Sequence, residues 1–253
     1  MTSNWALILG ASSGFGQAAA LELARGGMNI AGVHMDRRET MARVEELRAR
    51  LRSLGREERF FNSNAADDER RSEIVKALAG SIAPGGLRVL MHSLAFGVLK
   101  PMAEVARRQL ENTCDAMGHS LVYWVRDLVA AGLLGEGGRV FAMTSAGGRR
   151  ALPMYGPVSA AKAVLEAHVR QLAVEFAPRG ITVNAIEAGV TETPALRAIP
   201  GHEKLAEFAR ARNPNGRLTC PEDVARSIAA LAQPGTYWMT GNVIRVDGGE
   251  GTV

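Results

Sequence analysis

Cysteine is scarce in this chain. Its 253 residues hold two, Cys114 and Cys220, far apart. That excludes a disulfide framework and a zinc-binding cysteine pattern. His92, His119, His168 and His202 lack metal-ligand spacing, so no metal is expected. Long apolar runs are missing too: none approaches the roughly 18 residues of a membrane span. The start, Met1 to Trp5, has no charged lead before an apolar stretch, so no signal peptide is visible and a cytoplasmic protein is expected. Charge of one sign is nearly balanced, with 30 Lys and Arg against 26 Asp and Glu. The arginines are spread along helices and form no basic tail, so nucleic acid is not an expected partner. The net charge of +4 still suits an acidic partner or a phosphorylated cofactor.

What is present is an ordinary globular composition, 47% hydrophobic and 22% charged, which excludes wholesale disorder. The length fits one domain, which buries about 75% of the surface its unfolded chain exposes. Short apolar runs alternate with amphipathic segments. Strands are expected at 5–9, 29–34, 58–62, 87–92, 139–144, 181–186 and 242–246. Helices are expected at 14–26, 38–54, 67–82, 157–178 and 222–232, with 104–134 helical in two pieces. This alternation predicts an α/β fold: one Rossmann-type domain over 1–253, a doubly wound parallel sheet with helices on both faces. The longest irregular stretch, 187–219, is long enough to be a functional lid.

Gly10-Ala-Ser-Ser-Gly14-Phe-Gly16 follows the first strand and opens the first helix. Glycines there let the backbone approach a pyrophosphate, and the helix start offers free N–H groups. Gly10, Ser12, Ser13, Phe15 and Gly16 are therefore candidate dinucleotide contacts. At the end of the second strand, NAD-binding chains usually carry an acid for the ribose. Here His34 holds that place, followed by Asp36, Arg37 and Arg38. Two guanidinium groups suit a 2′-phosphate, so NADPH is expected, with NADH open. Asn64 and Ala65, after the third strand, are expected near the adenine, and Asp67 is an expected helix N-cap.

The glycine pattern and the tail Val243-Ile-Arg-Val-Asp-Gly-Gly249 resemble the short-chain dehydrogenase/reductase family over nearly the whole chain. Most members place a catalytic Tyr four residues before a Lys. Four residues before Lys162 is Val158, whereas Tyr155 stands seven before it. Tyr-x6-Lys resembles the enoyl-[acyl-carrier-protein] reductases of that family. His92-Ser93-Leu94-Ala95-Phe96 resembles the run that ends their fourth strand. Met117 stands where carbonyl-reducing members carry a catalytic Asn. Ser145, ten residues before Tyr155, replaces the second Tyr of many enoyl reductases. In that respect the chain is most similar to the NADPH-preferring type III branch.

The resemblance implies reduction of trans-2-enoyl thioesters in fatty acid elongation. Tyr155, Lys162 and Ser145 would be catalytic. Ser93, Ala95, Lys162, Val190 and Thr193 would line the cofactor, and Phe96, Met154 and Leu196 the acyl chain. A phenol hydroxyl suits an enolate oxygen, and a nearby ammonium is expected to lower the phenol's pKa. The implied partners are an acyl carrier protein or enoyl-CoA, with basic lid residues such as Arg197, Lys204, Arg210, Arg212 and Arg217 facing the acidic carrier. A homotetramer is implied as well. Two alternatives stay open: a short-chain carbonyl reductase acting on 3-oxoacyl substrates, and a non-enzymatic NADP-binding regulator.

Overall fold

The computed structural model describes residues 4–253. The apolar runs become seven strands: β1 (Trp5–Leu9), β2 (Asn29–His34), β3 (Glu58–Asn62), β4 (Leu87–His92), β5 (Leu134–Ser145), β6 (Thr182–Ala188) and β7 (Val243–Val246). They form one parallel sheet in the order β3-β2-β1-β4-β5-β6-β7. The order reverses direction between β1 and β4, the place where open α/β sheets bind ligands beyond their strand ends. β1 and β2 are buried along their whole length because helices cover both faces.

The helices are α1 (Gly14–Arg25), α2 (Met41–Ser53), α3 (Asp68–Ala79), α4 (Arg107–Cys114), α5 (Ser120–Ala130), α6 (Gly156–Phe176), α7 (Pro194–Arg197), α8 (His202–Arg212) and α9 (Pro221–Leu231). One apolar core lies between the sheet and α3, α5 and α6, built around Trp124, Leu90 and Leu165. A second lies on the other face, against α1, α2 and α9, built around Ile8, Phe141 and Ile228.

Three local differences from the sequence reading have physical causes. The helical stretch after residue 104 divides at a π-helical turn, Asp115–His119. Gly118 sits in it, and a Cβ there would come within 2.9 Å of Val164 Cγ1, so the glycine permits close approach to α6. β5 begins five residues earlier than expected, because Leu134 pairs with Leu87 across an irregular Gly-rich step. The 187–219 stretch is not wholly irregular. It contains α7 and α8, and a bridge between Thr191 and Thr219 ties its ends.

Candidate active site

The catalytic candidates converge on the C-terminal end of β5. Lys162, in the second turn of α6, is buried, and its Nζ donates to the Met143 carbonyl oxygen at 2.7 Å. Burial lowers the Lys162 pKa to about 8, against the pull of Glu166. Glu166 itself accepts a hydrogen bond of 2.6 Å from Thr144 Oγ1. Ser145 ends the strand, and its Oγ accepts from the Gly147 N–H at 3.2 Å. Tyr155 is the N-cap residue of α6, and its hydroxyl faces Ser145. The structure therefore brings Tyr155, Ser145 and Lys162 to one place. Burial raises the Tyr155 pKa, and the Ser145 contact only partly offsets this. The expected lowering by the Lys162 ammonium is not found: burial and Ser145 alone set the shift, and the phenol is protonated at neutral pH.

Two neighbours of Tyr155 carry signs of constraint. Met154 has φ 64°, the one non-glycine positive φ among the described residues. That conformation costs a bulky L-residue about 1–2 kcal/mol, and such outliers cluster at functional sites. Gly147 lies under the tyrosine ring: a Cβ there would sit 2.8 Å from Tyr155 Cδ1. The role of Gly147 was not anticipated, although its Gly-Gly dipeptide was a visible turn signal.

Met117 and Val158, the positions where carbonyl reducers carry Asn and Tyr, pack against each other and Ala161 in a small apolar cluster that Tyr155 borders. No proton relay runs through them. His92 is fully buried and Nε2 meets Ser120 Oγ at 2.8 Å. Ser120 donates its single proton to the Ala116 carbonyl, also at 2.8 Å, so the imidazole is the donor of the pair. Burial, then the charge of Lys162, lower its pKa to about 3 and keep it neutral.

The dinucleotide cradle is assembled around α1. Gly10 has φ 86°, and a Cβ there would lie 3.1 Å from the Ser93 carbonyl carbon, so the β1 and β4 ends meet only with glycine. Ser13 is the N-cap of α1 yet makes no side-chain cap bond. Gly14 faces Thr193, whose methyl would be 3.3 Å from a Cβ. Thr193 Oγ1 also accepts from the Leu196 N–H at 3.2 Å, so Thr193 caps α7 as well. These features fit a pyrophosphate over the helix start. Lys162 fits a ribose, since only one of its three donors is engaged inside the protein.

Ala65 is buried, and its carbonyl accepts from Trp124 Nε1 at 2.8 Å, which fixes the loop after β3. Asn64 Oδ1 bonds the Ala66 N–H, and Asp67 Oδ1 caps α3 through the Arg70 N–H, each at 3.0 Å. Ser12 lies beside the Asp36 carboxylate. Asp36 also meets His34 Nδ1 at 3.0 Å and lies near Thr40. Burial opposes its ionisation, but these hydrogen bonds prevail and hold its pKa below the usual range. Arg37 and Arg38 point to solvent. The Val190 N–H donates to Glu250 Oε2 at 3.0 Å, a contact not foreseen. Phe96 and Met154 stand on the loops that follow β4 and β5, and Leu196 in α7 after β6; Phe96 is exposed and Leu196 buried. Among the described residues no His, Cys, Asp and Glu group is arranged to hold a metal, and no helix is long and apolar enough to cross a membrane.

Comparison with known proteins agrees with this geometry. Residues 10–250 match the family described as "Enoyl-(Acyl carrier protein) reductase". The chain is similar to 1-cyclohexenylcarbonyl-CoA reductase of Streptomyces collinus, 31% identical over 96% of this chain and 85% of that protein. It is similar to a short-chain dehydrogenase/reductase of Hericium erinaceus, 29% identical over 97% of this chain and 96% of the relative. The crystal structure of the NADH-type enoyl-[acyl-carrier-protein] reductase of Aquifex aeolicus superposes with a TM-score of 0.87 at 26% identity, covering 100% of this chain and 98% of that one. The protein is an oxidoreductase of the short-chain dehydrogenase/reductase family and belongs to its enoyl-(acyl carrier protein) reductase-like branch.

Proposed function

We propose that this protein reduces trans-2-enoyl thioesters, carried by an acyl carrier protein or by coenzyme A, with NADPH. One observation carries the reading. Tyr155, seven residues before Lys162, is the phenol held at the end of β5, while Met117 and Val158 are packed as apolar core. A carbonyl reducer built on the usual Tyr and Asn positions has no donor in this site.

When bound, the reduced nicotinamide supplies hydride to C3 of the enoyl group. Tyr155 Oη hydrogen-bonds the thioester oxygen and strengthens that bond as negative charge develops there. Its raised pKa keeps the proton in place to be given. Ser145 orients the phenol. Lys162 holds the ribose hydroxyls with the donors that Met143 leaves free. Lys204 and Arg210 are exposed on α8, where they suit an acidic carrier, whereas Arg217 is tied to Asp223 at 2.6 Å.

NADH is a second reading, favoured by Asp36, whose carboxylate lies against Ser12 in the cradle and disfavours an added phosphate there. The test is cofactor oxidation followed by absorbance, with crotonyl and acetoacetyl thioesters in parallel and both cofactors. Oxidation with the crotonyl substrate alone supports the reading. Oxidation with the acetoacetyl substrate alone overturns it.

A further inference from the structure

The turn that follows β7 grips both ends of the segment that carries α7 and α8. At the start of that segment, Glu250 Oε2 accepts from the Val190 N–H at 3.0 Å, and the Gly189 N–H donates to the Val246 carbonyl at 3.2 Å. At its far end, Asn213 Nδ2 donates to the Asp247 carbonyl and Asn215 Nδ2 to the Gly248 carbonyl, each at 2.9 Å. The turn is itself fixed from within. Asp247 is buried, and its carboxylate accepts from the Gly249 N–H at 3.0 Å and from the Gly251 N–H at 2.8 Å. Glu250 thus reaches Val190 from a rigid base. Gly189 lets it come close: a Cβ there would lie 2.9 Å from Glu250 Oε2 and 3.1 Å from Asp247 Cα.

Val190 stands where a dinucleotide has to pass. Two residues before it, Ala188 pairs with Ser145 across β6 and β5. Beyond it, Thr193 lies against Gly14 at the start of α1, its methyl 3.3 Å from where a Cβ would be. The span 188–193 therefore runs from the reactive serine to the pyrophosphate cradle. A peptide on that span whose N–H had no partner would be free to turn, and a ligand would have to order it on binding. A hydrogen bond that holds it beforehand removes that cost.

We infer that Glu250 is a positioning residue for the nicotinamide half of the cofactor, which it serves from outside the site by holding the Val190 peptide in its binding orientation. The inference rests on reading the site as a nicotinamide dinucleotide cradle. It is independent of the choice between NADPH and NADH and of the acyl substrate.

The test measures binding without turnover. One probe is the reduced dinucleotide that the wild type binds more tightly, followed by its fluorescence. The other is ADP-ribose with the matching 2′-group, which lacks only the nicotinamide ring, followed by calorimetry. Glu250→Ala is expected to weaken the dinucleotide about 10-fold and the ADP-ribose probe less than about twofold, the scale of one hydrogen bond to a charged group. Glu250→Gln keeps a carbonyl acceptor and should stay within about threefold of the wild type. Gly189→Ala pushes Glu250 away from the other side and should give the same selective loss. Urea denaturation of each variant reads the effect on folding separately. A Glu250→Ala protein that loses stability but keeps its dinucleotide affinity overturns the inference. So does equal loss for both probes, or a Glu250→Gln protein as weak as Glu250→Ala. A wild type that binds neither probe overturns the cradle reading itself, and this inference with it.

Discussion

Lys162 Nζ donates to the Met143 carbonyl oxygen at 2.7 Å, two residues before the serine that touches Tyr155. One strand end thus fixes both halves of the reactive pair. Because the lysine is buried, its pKa falls to about 8. Its ammonium form, which in the proposed function holds the ribose, is lost as pH rises through that value. We expect kcat/KM for the cofactor to fall above about pH 8, and Lys162→Arg to keep a flat profile across the same range. The stability sign is opposite. The unfolded lysine keeps its proton up to about 10.4, so between the two values the unfolded state binds more protons. This group's contribution to folding stability therefore rises with pH across that window. A pH–rate profile and denaturation at pH 7.5 and 9.5 check the two signs.

Gly147 makes room for the tyrosine ring. A methyl group added there would sit 2.8 Å from Tyr155 Cδ1, inside van der Waals contact. Gly147→Ala is expected to displace the phenol and lower kcat by about 100-fold, the scale of a lost oxyanion donor. Cofactor affinity, measured by fluorescence, should change little. Unchanged kcat would show that the ring does not need its present seat.

Val158→Tyr would restore the usual spacing to Lys162, but the space is taken. Gly97 approaches Val158 so closely that a Cβ on it would be 2.7 Å from Val158 Cγ2, with Met117 Sδ at 3.0 Å. Overpacking of this kind costs about 1–3 kcal/mol. The variant is expected to lose that much in urea denaturation and to gain no activity on acetoacetyl thioesters.

Arg149 clamps the loop that carries Gly147 to β6, through two hydrogen bonds to Glu187 of 2.6 and 3.2 Å. Glu187 is 2% exposed. Arg149→Ala leaves a buried carboxylate unpaired, a loss of about 1–3 kcal/mol. Adding Glu187→Gln should return part of it. A double-mutant cycle by urea denaturation measures the coupling, and simple additivity would show that the clamp carries no energy.

The sheet was legible because its inner strands are continuous apolar runs bounded by glycine, as in Trp5–Leu9 and Leu87–His92. The start of β5 was not, since Gly135-Glu136-Gly137-Gly138 has the composition of a turn and is recruited only by pairing with β4. The Tyr155–Lys162 spacing was legible as a motif. The parts that hold it were hidden for different reasons. The Met143 carbonyl carries no side-chain signature at all. Glu250 lies sixty residues from the N–H it covers, a distance that local patterns cannot bridge.

The bridge between Thr191 and Thr219 ties together the ends of the stretch that carries α7 and α8, whereas Met143 and Ser145 stand on β5. The molecule thereby separates what reacts from what is admitted. Substitutions in α7 and α8 can reshape the entrance while the phenol and ammonium keep their anchors. Divergence in such an architecture falls on appetite before it falls on chemistry. A chain of this build can pass from one substrate to another over few mutational steps and remain an oxidoreductase at each of them.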